Sequence, residues 1–302
     1  MAASDYEVLD ERFRNCVNRT SHVERLSVGA RWTEGPVYFP AGKYLLFSDI
    51  PNDRIMRYDE TDGSVSIFRQ PSGNANGHTV DRQGRLVSCE HGNRRVTRTE
   101  IDGRITVVAD SYQGKRLNSP NDVVVKSDDS IWFTDPPYGI LSDYEGNKAQ
   151  QENGNNVYRI DKSGAITCVV DDFIRPNGLA FSADEKKLYI VDSAGGRVKG
   201  QPKHIRVFDV GEGGKLSGGK EFADCTAGRF DGMRFDSDGR LWAATDDGVH
   251  CLDVDGTLIG KVKIPEICSN VCFGGPKRNY LYITATNSLY GVMLHVNGLK
   301  TF

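Results

Sequence analysis

Six short stretches of the chain share one pattern, and their spacing limits the fold more than any other feature. In each, a small polar or acidic residue, here called an anchor, stands four positions before an apolar or aromatic residue, and a strand-like run follows. The six pairs are Glu34 with Tyr38, Asn76 with Val80, Asn121 with Val125, Asn177 with Phe181, Asp231 with Phe235 and Ser269 with Phe273. Successive anchors are 42, 45, 56, 54 and 38 residues apart, a period that is typical of β-propeller blades.

The repeat predicts an all-β, six-bladed β-propeller whose blades begin near residues 34, 76, 121, 177, 231 and 269. Alternating strands separated by Asp-Gly, Gln-Gly or Ser-Gly turns follow most anchors, as in antiparallel hairpins. The sixth repeat has only three clear strands, and we expect residues 23–28 to supply the fourth. This N-terminal strand would close the ring and protect a sheet edge. Residues 1–302 would form a single domain, in which the extension 1–22 has room for one short helix.

Composition argues against several classes of function. The 302 residues include 38 basic and 41 acidic side chains, with a net charge of -3 and no basic run, so a nucleic-acid surface is not expected. The absence of an 18-residue apolar run predicts no membrane span, and residues 1–7 lack the pattern of a signal peptide. Seven cysteines without a CxxC pair are typical of free thiols in a reducing compartment. We therefore expect a cytoplasmic protein, either a monomer or a homodimer.

Matching residues of successive propeller blades meet around one axis, so the six anchors are expected to form a ring in the central channel. Glu34 and Asp231 would contribute carboxylates to this ring, and Asn121 and Asn177 would contribute amide oxygens. Such ligands suit one hard divalent cation. Calcium is the expected ion, with magnesium, manganese or zinc as alternatives, although zinc usually takes His or Cys. Open coordination positions would remain for water or substrate.

Turn formation is the competing interpretation of the anchors. Asn-Gly, Asp-Gly and Asn-Asp pairs are common in turns because they tolerate positive φ. The common register of the six anchors favours the site interpretation for the four predicted cation ligands. For Asn76 and Ser269 both interpretations stay open.

Three further polar residues are predicted to bind substrate at the same face. His78 lies two residues past an anchor and should line the channel, either as a proton shuttle or as a hydrogen-bonded plug. Asp135 ends the second strand of blade three and precedes the insertion 138–155; holding a loop is its alternative role. His91 follows the second strand of blade two at the same level.

Motifs around five anchors resemble those of the SMP-30/gluconolactonase family. They are Trp32-Thr33-Glu34-Gly35-Pro36, Ser119-Pro120-Asn121-Asp122, Arg175-Pro176-Asn177-Gly178-Leu179, Phe230-Asp231-Gly232-Met233 and Cys272-Phe273-Gly274-Gly275. Asn76-Gly77-His78 and residues 89–95 are similar to its bacterial gluconolactonase branch. The resemblance implies a six-bladed propeller, a divalent cation in the central channel and hydrolysis of sugar lactones. It also implies that Glu34, Asn177 and Asp231 bind the cation and that Asn121 binds the cation or the substrate.

These observations lead to one functional hypothesis with two alternatives. The protein would open a sugar lactone such as D-glucono-1,5-lactone, with a cation polarising the carbonyl and Asp231 acting as general base. Ser119 stands where animal members of the family carry Arg, so their contact with the sugar does not transfer and the particular lactone stays open. A phosphotriesterase resembling diisopropylfluorophosphatase is the first alternative. A non-catalytic calcium-binding propeller is the second.

Overall fold

Antiparallel β-sheet makes up nearly all the regular structure. A computed structural model describes residues 5–18, 20–196 and 198–300. Two strands precede the first blade, namely β1 (Tyr6–Val8) and β2 (Glu24–Val28). Blade one consists of β3 to β6: Thr33–Phe39, Tyr44–Asp49, Arg54–Asp59 and Val65–Arg69. Blade two consists of β7 to β10: Ala75–Val80, Leu86–Glu90, Arg95–Thr99 and Ile105–Ala109.

The remaining strands follow the same order along the chain. A small hairpin of β11 and β12 (Ser111–Tyr112 and Lys115–Arg116) leads into the third blade. Blade three consists of β13 to β16: Val123–Val125, Ile131–Asp135, Asn156–Ile160 and Ile166–Val170. Blade four consists of β17 to β20: Pro176–Phe181, Lys187–Asp192, His204–Val210 and Leu216–Asp224. Blade five contains β21 to β24: Met233–Phe235, Leu241–Thr245, Gly248–Leu252 and Leu258–Lys263. Blade six contains β25 to β27: Cys268–Gly274, Tyr280–Ala285 and Ser288–Met293.

Helical structure is limited to short 3-10 segments. They are Glu11–Asn15, Ile50–Asn52, Tyr138–Ile140, Ala194–Gly196 and Glu212–Gly214. In the described ranges no helix has both the length and the apolar character needed to cross a membrane.

The first strands of the six sheets form a closed ring. Contacts between these strands run in the order β3, β7, β13, β17, β21, β25 and back to β3. Within each sheet the following strands lie progressively further from these inner strands. The predicted six-bladed propeller is therefore confirmed, and the inner strands surround its central channel.

The N-terminal segment adds strands to the last two blades. β2 pairs with β27 at the edge of blade six, where Glu24 lies opposite Gly291. β1 pairs with β24, so blade five has five strands, and the sequence did not predict this addition. Between them, the segment Glu11–Asn15 buries Phe13 completely, 6.1 Å from the ring of Trp242. The short helix expected in residues 1–22 is thus a single 3-10 segment.

Hydrophobic side chains fill the gaps between neighbouring blades. Across the described residues, six buried clusters correspond to the six blade interfaces. Between blades one and two, for example, Val37 and Leu46 pack with Val80 and Leu86. Burial of such side chains contributes about 1.5–3 kcal/mol each. Because the core lies between the blades, the axis of the ring is available to polar side chains.

Glycine follows four of the six anchors because the inner strands approach each other closely there. A Cβ atom on Gly35 would overlap the backbone oxygen of Asn76, and one on Gly77 would overlap that of Asn121. A Cβ atom on Gly178 would overlap the backbone oxygen of Asp231, and one on Gly232 would overlap the side chain of Asn270. The two other blades carry Asp122 and Asn270 at this position, and their side chains lie over the glycines of blades two and five.

Replacing Gly35 with Ala is expected to lower the free energy of unfolding by more than about 3 kcal/mol. The reason is twofold: φ is +54° at this position, and the added methyl group would collide with the backbone of blade two. Gly63 is the matched control, because its φ is +73° but a Cβ there meets nothing within 4 Å. Gly63→Ala should cost only about 1 kcal/mol. If urea denaturation gave the same loss of unfolding free energy for both variants, the close approach of the blades at Gly35 would not contribute to the cost of the substitution.

Candidate active site

Irregular strand pairing turns the anchors toward the axis. The register of β3 against β4 shifts between Glu34 and Val37, and that of β7 against β8 shifts between Ala75 and His78. β17 and β25 shift at the same level, whereas β13 and β21 begin two residues after their anchors. Such bulges bend a strand and redirect its side chains, and they are common beside active sites.

Close contacts tie each anchor to the next blade around the ring. The hydrogen bonds run from Ser48 Oγ to Asn76 O (2.7 Å), Gly77 N–H to Asn121 O (2.8 Å), Thr134 Oγ1 to Asn177 O (2.8 Å), Gly232 N–H to Ser269 O (2.7 Å) and Ser269 Oγ to Thr33 O (2.6 Å). Gly178 against Asp231 completes the circle. Each anchor is at most 5% exposed. The structure thus brings together all six residues that the repeat placed in one ring.

Glu34 is a buried carboxyl group with few hydrogen-bond donors. Its Oε2 accepts the Gly35 N–H at 2.6 Å and the Asn270 side-chain amide at 3.1 Å. Burial raises its pKa well above the usual range, and the charges of Asp231 and Asp122 raise it further. These two charges can act on Glu34 only because the three carboxyl groups share one region of the channel.

Asp231 lies in a similar environment but has the guanidinium group of Arg229 beside it. Its Oδ2 is 3.6 Å from Nη2 of Arg229. Burial raises the pKa of Asp231 to about 7; Arg229 opposes this effect, while Glu145, Asp246 and Asp122 add to it. This value holds without a bound cation, which would lower the pKa and keep the carboxylate ionised and able to accept a proton.

The two amide anchors present oxygens to the same region. Asn177 Nδ2 donates to Ser193 Oγ at 3.2 Å, and Ser193 Oγ is 2.7 Å from the Tyr138 hydroxyl. This contact holds the NH₂ group of Asn177 and leaves its Oδ1 for a ligand. Asn121 donates its backbone N–H to Thr134 O at 2.8 Å, and its side-chain amide makes no hydrogen bond within the described residues.

The ring has the chemistry that a hard divalent cation requires. Glu34 and Asp231 are buried carboxyl groups whose ionised forms repel one another, and a bound cation would remove that penalty. Amide oxygens beside them are suitable additional ligands for calcium or magnesium. Among the described residues, His, Cys, Asp and Glu form no group of three that could hold a metal ion. A cation at the ring would therefore need amide or water oxygens as well as the two carboxylates.

His78 is fully buried between blades one and two. Its Nε2 is 2.8 Å from Ser48 Oγ, and its Nδ1 is 2.8 Å from Ser88 Oγ. Burial lowers the pKa of His78 to about 3, and the charge of Arg69 contributes. The imidazole of His78 is therefore neutral at pH 7. The contacts are those of a hydrogen-bonded plug. A proton-shuttle or substrate-binding role for His78 stays a prediction.

Below about pH 6.5 the buried His78 should destabilise the protein. The unfolded chain takes up a proton at its pKa of 6.5, whereas the folded protein resists protonation down to about pH 3. Stability at neutral pH should therefore be lost, as pH falls through this window, by about 1.4 kcal/mol per unit. Urea denaturation at pH 7 and pH 5 should show a smaller pH dependence for His78→Gln than for the wild type. His22→Gln, which changes an exposed residue, should behave as the wild type; an unchanged His78→Gln profile would contradict the assignment.

Asp135 makes the same contact as the residues that end the second strands of blades one and four. Each accepts an N–H group from the segment before its anchor: Asp49 from Arg31 (2.9 Å), Asp135 from Asn118 (2.8 Å) and Asp192 from Arg175 (3.0 Å). Asp135 thus holds the approach to Asn121. Its Oδ1 is buried and has no hydrogen-bond partner in the described part of the chain, and substrate binding by Asp135 stays a prediction.

His91 lies behind Asn76 and is fully buried. Its Nε2 is 3.0 Å from Asn76 Nδ2, and its Nδ1 is 4.0 Å from Oε2 of Glu145 in the insertion 138–155. Direct substrate contact by His91 stays a prediction.

Three residues that sequence reasoning did not assign also lie at the ring. Asp122 and Asn270 occupy the positions at which the other blades have glycine, and alignment of the six repeats would have identified them. Arg229 stands two residues before its anchor, the same offset as Ser119. Its guanidinium lies between Asp231 and Asp246, 3.6 and 3.7 Å from their carboxylates. Arg175 has the same offset before Asn177 in blade four, so arginine recurs at this position in only two of the six blades.

A cavity opens at the other end of the inner strands, away from the anchors. Its volume is about 950 Å³, and it is lined by residues that follow the anchors, such as Val37, Val125 and Phe235. Arg234 lines this cavity and lies 3.5 Å from Asp122. The Asp122–Arg234 ion pair therefore links the acidic ring to the cavity beyond it.

Fold and site together define a class: a six-bladed propeller that carries a ring of buried carboxyl and amide groups in its axial channel. The chain belongs to the SMP-30/gluconolactonase/LRE-like family, whose profile matches residues 32–287. The resemblance found in the anchor motifs is thereby confirmed.

Three relatives show how far this similarity extends. The chain is 34% identical over 294 residues to a gluconolactonase of Zymomonas mobilis, covering 89% of this chain and 80% of the relative. It is 31% identical to the pentonolactonase XacC of Haloferax volcanii, covering 86% and 83%. A solved structure of a gluconolactonase from Xanthomonas campestris superposes with a TM-score of 0.89 at 35% identity, covering 96% of both chains.

Proposed function

We propose that this protein is a carboxylic-ester hydrolase that opens sugar lactones, such as D-glucono-1,5-lactone, to aldonic acids. The observation that carries the proposal is the pair of buried carboxyl groups, Glu34 and Asp231, in a ring with amide oxygens. The gluconolactonase and pentonolactonase activities named for its relatives support the substrate class.

One divalent cation would bind at the ring, with calcium as the first choice. Glu34, Asn177 and Asp231 would hold it, and Asn121 would be a fourth ligand or a substrate contact. When bound, the cation would supply Lewis-acid polarisation of the lactone carbonyl.

Asp231 is the general base in this proposal. It accepts a proton from the water whose oxygen attacks the lactone carbonyl carbon. The bond between that carbon and the ring oxygen then breaks, and the proton passes to the departing ring oxygen, which becomes a hydroxyl of the acid. Asn121 and Asn177 orient the substrate during these steps.

Parallel assays with gluconolactone and diisopropyl fluorophosphate test the proposed reaction. We expect calcium-loaded protein to hydrolyse the lactone with the higher kcat/KM. Preference for the organophosphate would favour a phosphotriesterase. Turnover of neither compound by protein that still binds calcium would favour a non-catalytic calcium-binding propeller.

We also propose that strand β2 closes the ring, which its pairing with β27 supports. Deletion of residues 1–28 would expose an edge of β27 as well as removing β1, and exposed edges favour aggregation. We expect this deletion to lower Tm by about 10 °C or more, since several kcal/mol of burial are lost. Deletion of residues 1–22 removes β1 and the segment that carries Phe13 but keeps β2, and it serves as the control. Equal Tm values for the two deletions would refute closure by β2.

The proposed setting of the enzyme follows from the cysteines and the site. All seven cysteines are free thiols, which supports a reducing, cytoplasmic location. The ring residues come from one chain, so a monomer or a homodimer would carry complete sites.

A further inference from the structure

Asn76 carries a buried oxygen without a partner. The residue is 3% exposed, and its Nδ2 group is 3.0 Å from His91 Nε2. Its Oδ1 has no hydrogen-bond partner among the described residues. Leaving a buried acceptor unpaired is costly, and native proteins rarely do so without a ligand or a role.

His91 determines which way the Asn76 amide points. Burial lowers the pKa of His91 to about 4, so its ring is neutral at pH 7 and has one donor and one acceptor nitrogen. Glu145 lies on the Nδ1 side, where its Oε2 is 4.0 Å away, and a carboxylate there favours the proton on Nδ1. Nε2 is then the acceptor, and only the NH₂ group of Asn76 can satisfy it.

The orientation of Asn76 follows from this contact. His91 follows the second strand of the blade, outside the inner strand that carries Asn76. With its NH₂ group held on that outer side, Asn76 presents Oδ1 toward the axis. In the ring Asn76 lies between Glu34 and Asn121, as the contacts of Gly35 and Gly77 show.

The insertion 138–155 packs against the imidazole of His91. A Cβ atom on Gly139 would lie 2.5 Å from Cβ, 2.6 Å from Cγ and 2.9 Å from Nδ1 of His91. The same insertion supplies Glu145. Its backbone therefore restricts the position of His91, and its Glu145 carboxylate lies on the Nδ1 side of the imidazole.

We propose that Asn76 is a further substrate-binding residue, whose Oδ1 accepts a hydrogen bond from a hydroxyl group of the sugar lactone, and that His91 is a positioning residue that acts through Asn76. The proposal rests on the lactone hydrolase function above. Two carboxylates already balance a divalent cation, so a further amide adds no charge compensation there. A polyhydroxy lactone, in contrast, brings several hydroxyl groups that need acceptors.

The test compares D-glucono-1,5-lactone with δ-valerolactone, a lactone ring without hydroxyl groups. Asn76→Leu should raise KM for gluconolactone about tenfold or more, as expected for an unpaired buried hydrogen-bonding group, and leave kcat/KM for δ-valerolactone within about twofold of the wild type. His91→Leu should raise KM for gluconolactone in the same direction, and His91→Gln, which keeps an acceptor, should restore most of it. His250→Gln, which changes a buried histidine bonded to Asp247, is the control and should leave KM unchanged.

Calorimetric titration with calcium provides a readout independent of turnover. We expect the calcium Kd of Asn76→Leu to stay within about twofold of the wild type. A tenfold weaker Kd would overturn the proposal by making Asn76 a cation ligand, and equal losses on both lactones would overturn it by making the role structural. A wild type that hydrolyses neither lactone would overturn the proposed function and this inference together, whereas an active wild type with unaffected variants would overturn the inference alone.

Discussion

Asp231→Asn is expected to fold normally and to lower kcat for gluconolactone by about 10³-fold or more. The substitution keeps the size of the side chain but removes its ability to accept a proton. Asp231 is 5% exposed, and burial raises the pKa of its carboxyl group to about 7 in cation-free protein; a bound cation would keep the carboxylate ionised at pH 7. Glu34 is the other carboxyl group among the anchors, but Asp231 is the one that lies beside Arg229. Stopped-flow measurement of acid release, together with circular dichroism, checks both parts of the expectation.

Asp246→Asn is the matched control for Asp231→Asn. Asp246 also lies beside Arg229, at 3.7 Å, but its side chain is 32% exposed. We expect less than about a threefold change in kcat from this variant. Full activity of Asp231→Asn would remove Asp231 from the role of base. Loss of calcium binding in that variant, measured by calorimetry, would show that the residue acts chiefly as a ligand.

Removal of the cation should abolish lactone hydrolysis and make stability depend on pH. In cation-free protein, burial raises the pKa of Glu34 well above its usual range and that of Asp231 from 3.8 to about 7. The folded protein therefore holds protons that the unfolded chain releases. The resulting stability is fully present below about pH 4 and is lost as pH rises through about 7.

Calcium should reverse this loss because it binds the ionised carboxylates. We expect chelator-treated protein to have a lower Tm at pH 8 than at pH 5.5, and added calcium to raise Tm more at pH 8. The double variant Glu34→Gln, Asp231→Asn is the control, since it has no carboxyl group at either position. Its Tm should not fall between pH 5.5 and pH 8 and should not respond to calcium, while the separate effect of His78 at low pH stays in place. A calcium-induced rise in Tm of the same size at both pH values would contradict the predicted site.

The blades could be predicted from sequence because each one repeats local signals. An anchor, an alternating strand and a Gly turn recur at nearly constant spacing, and each signal depends on neighbouring residues. Strand β1 carries no such signal: Tyr6–Val8 has three residues and becomes a strand only by pairing with β24, more than 250 positions away. Its position depends on tertiary packing, which local propensity does not encode.

The site was predictable to a similar extent. The common register places Glu34 and Asp231 in one ring, because matching positions of a closed propeller must converge. Register does not give the orientation of a side chain, however. Glu145 belongs to the longest of the segments that join a second strand to a third, so its approach to His91 had no periodic signal. Asp122 is visible in the sequence as part of the motif around Asn121, and only alignment of the six repeats marks it as a member of the ring.

The residues that follow the anchors have one more consequence. In ring order they are Gly35, Gly77, Asp122, Gly178, Gly232 and Asn270, so the bulky positions recur after half a turn. At this position the ring therefore repeats after three blades. The anchors do not share this dyad, since Glu34 faces Asn177 across the axis and Asp231 faces Asn76. Asn121 faces Ser269 in the third pair. A bound molecule therefore meets an acid on one side and an amide on the other across two of the three facing pairs, and a half-turn of the ligand does not give an equivalent pose.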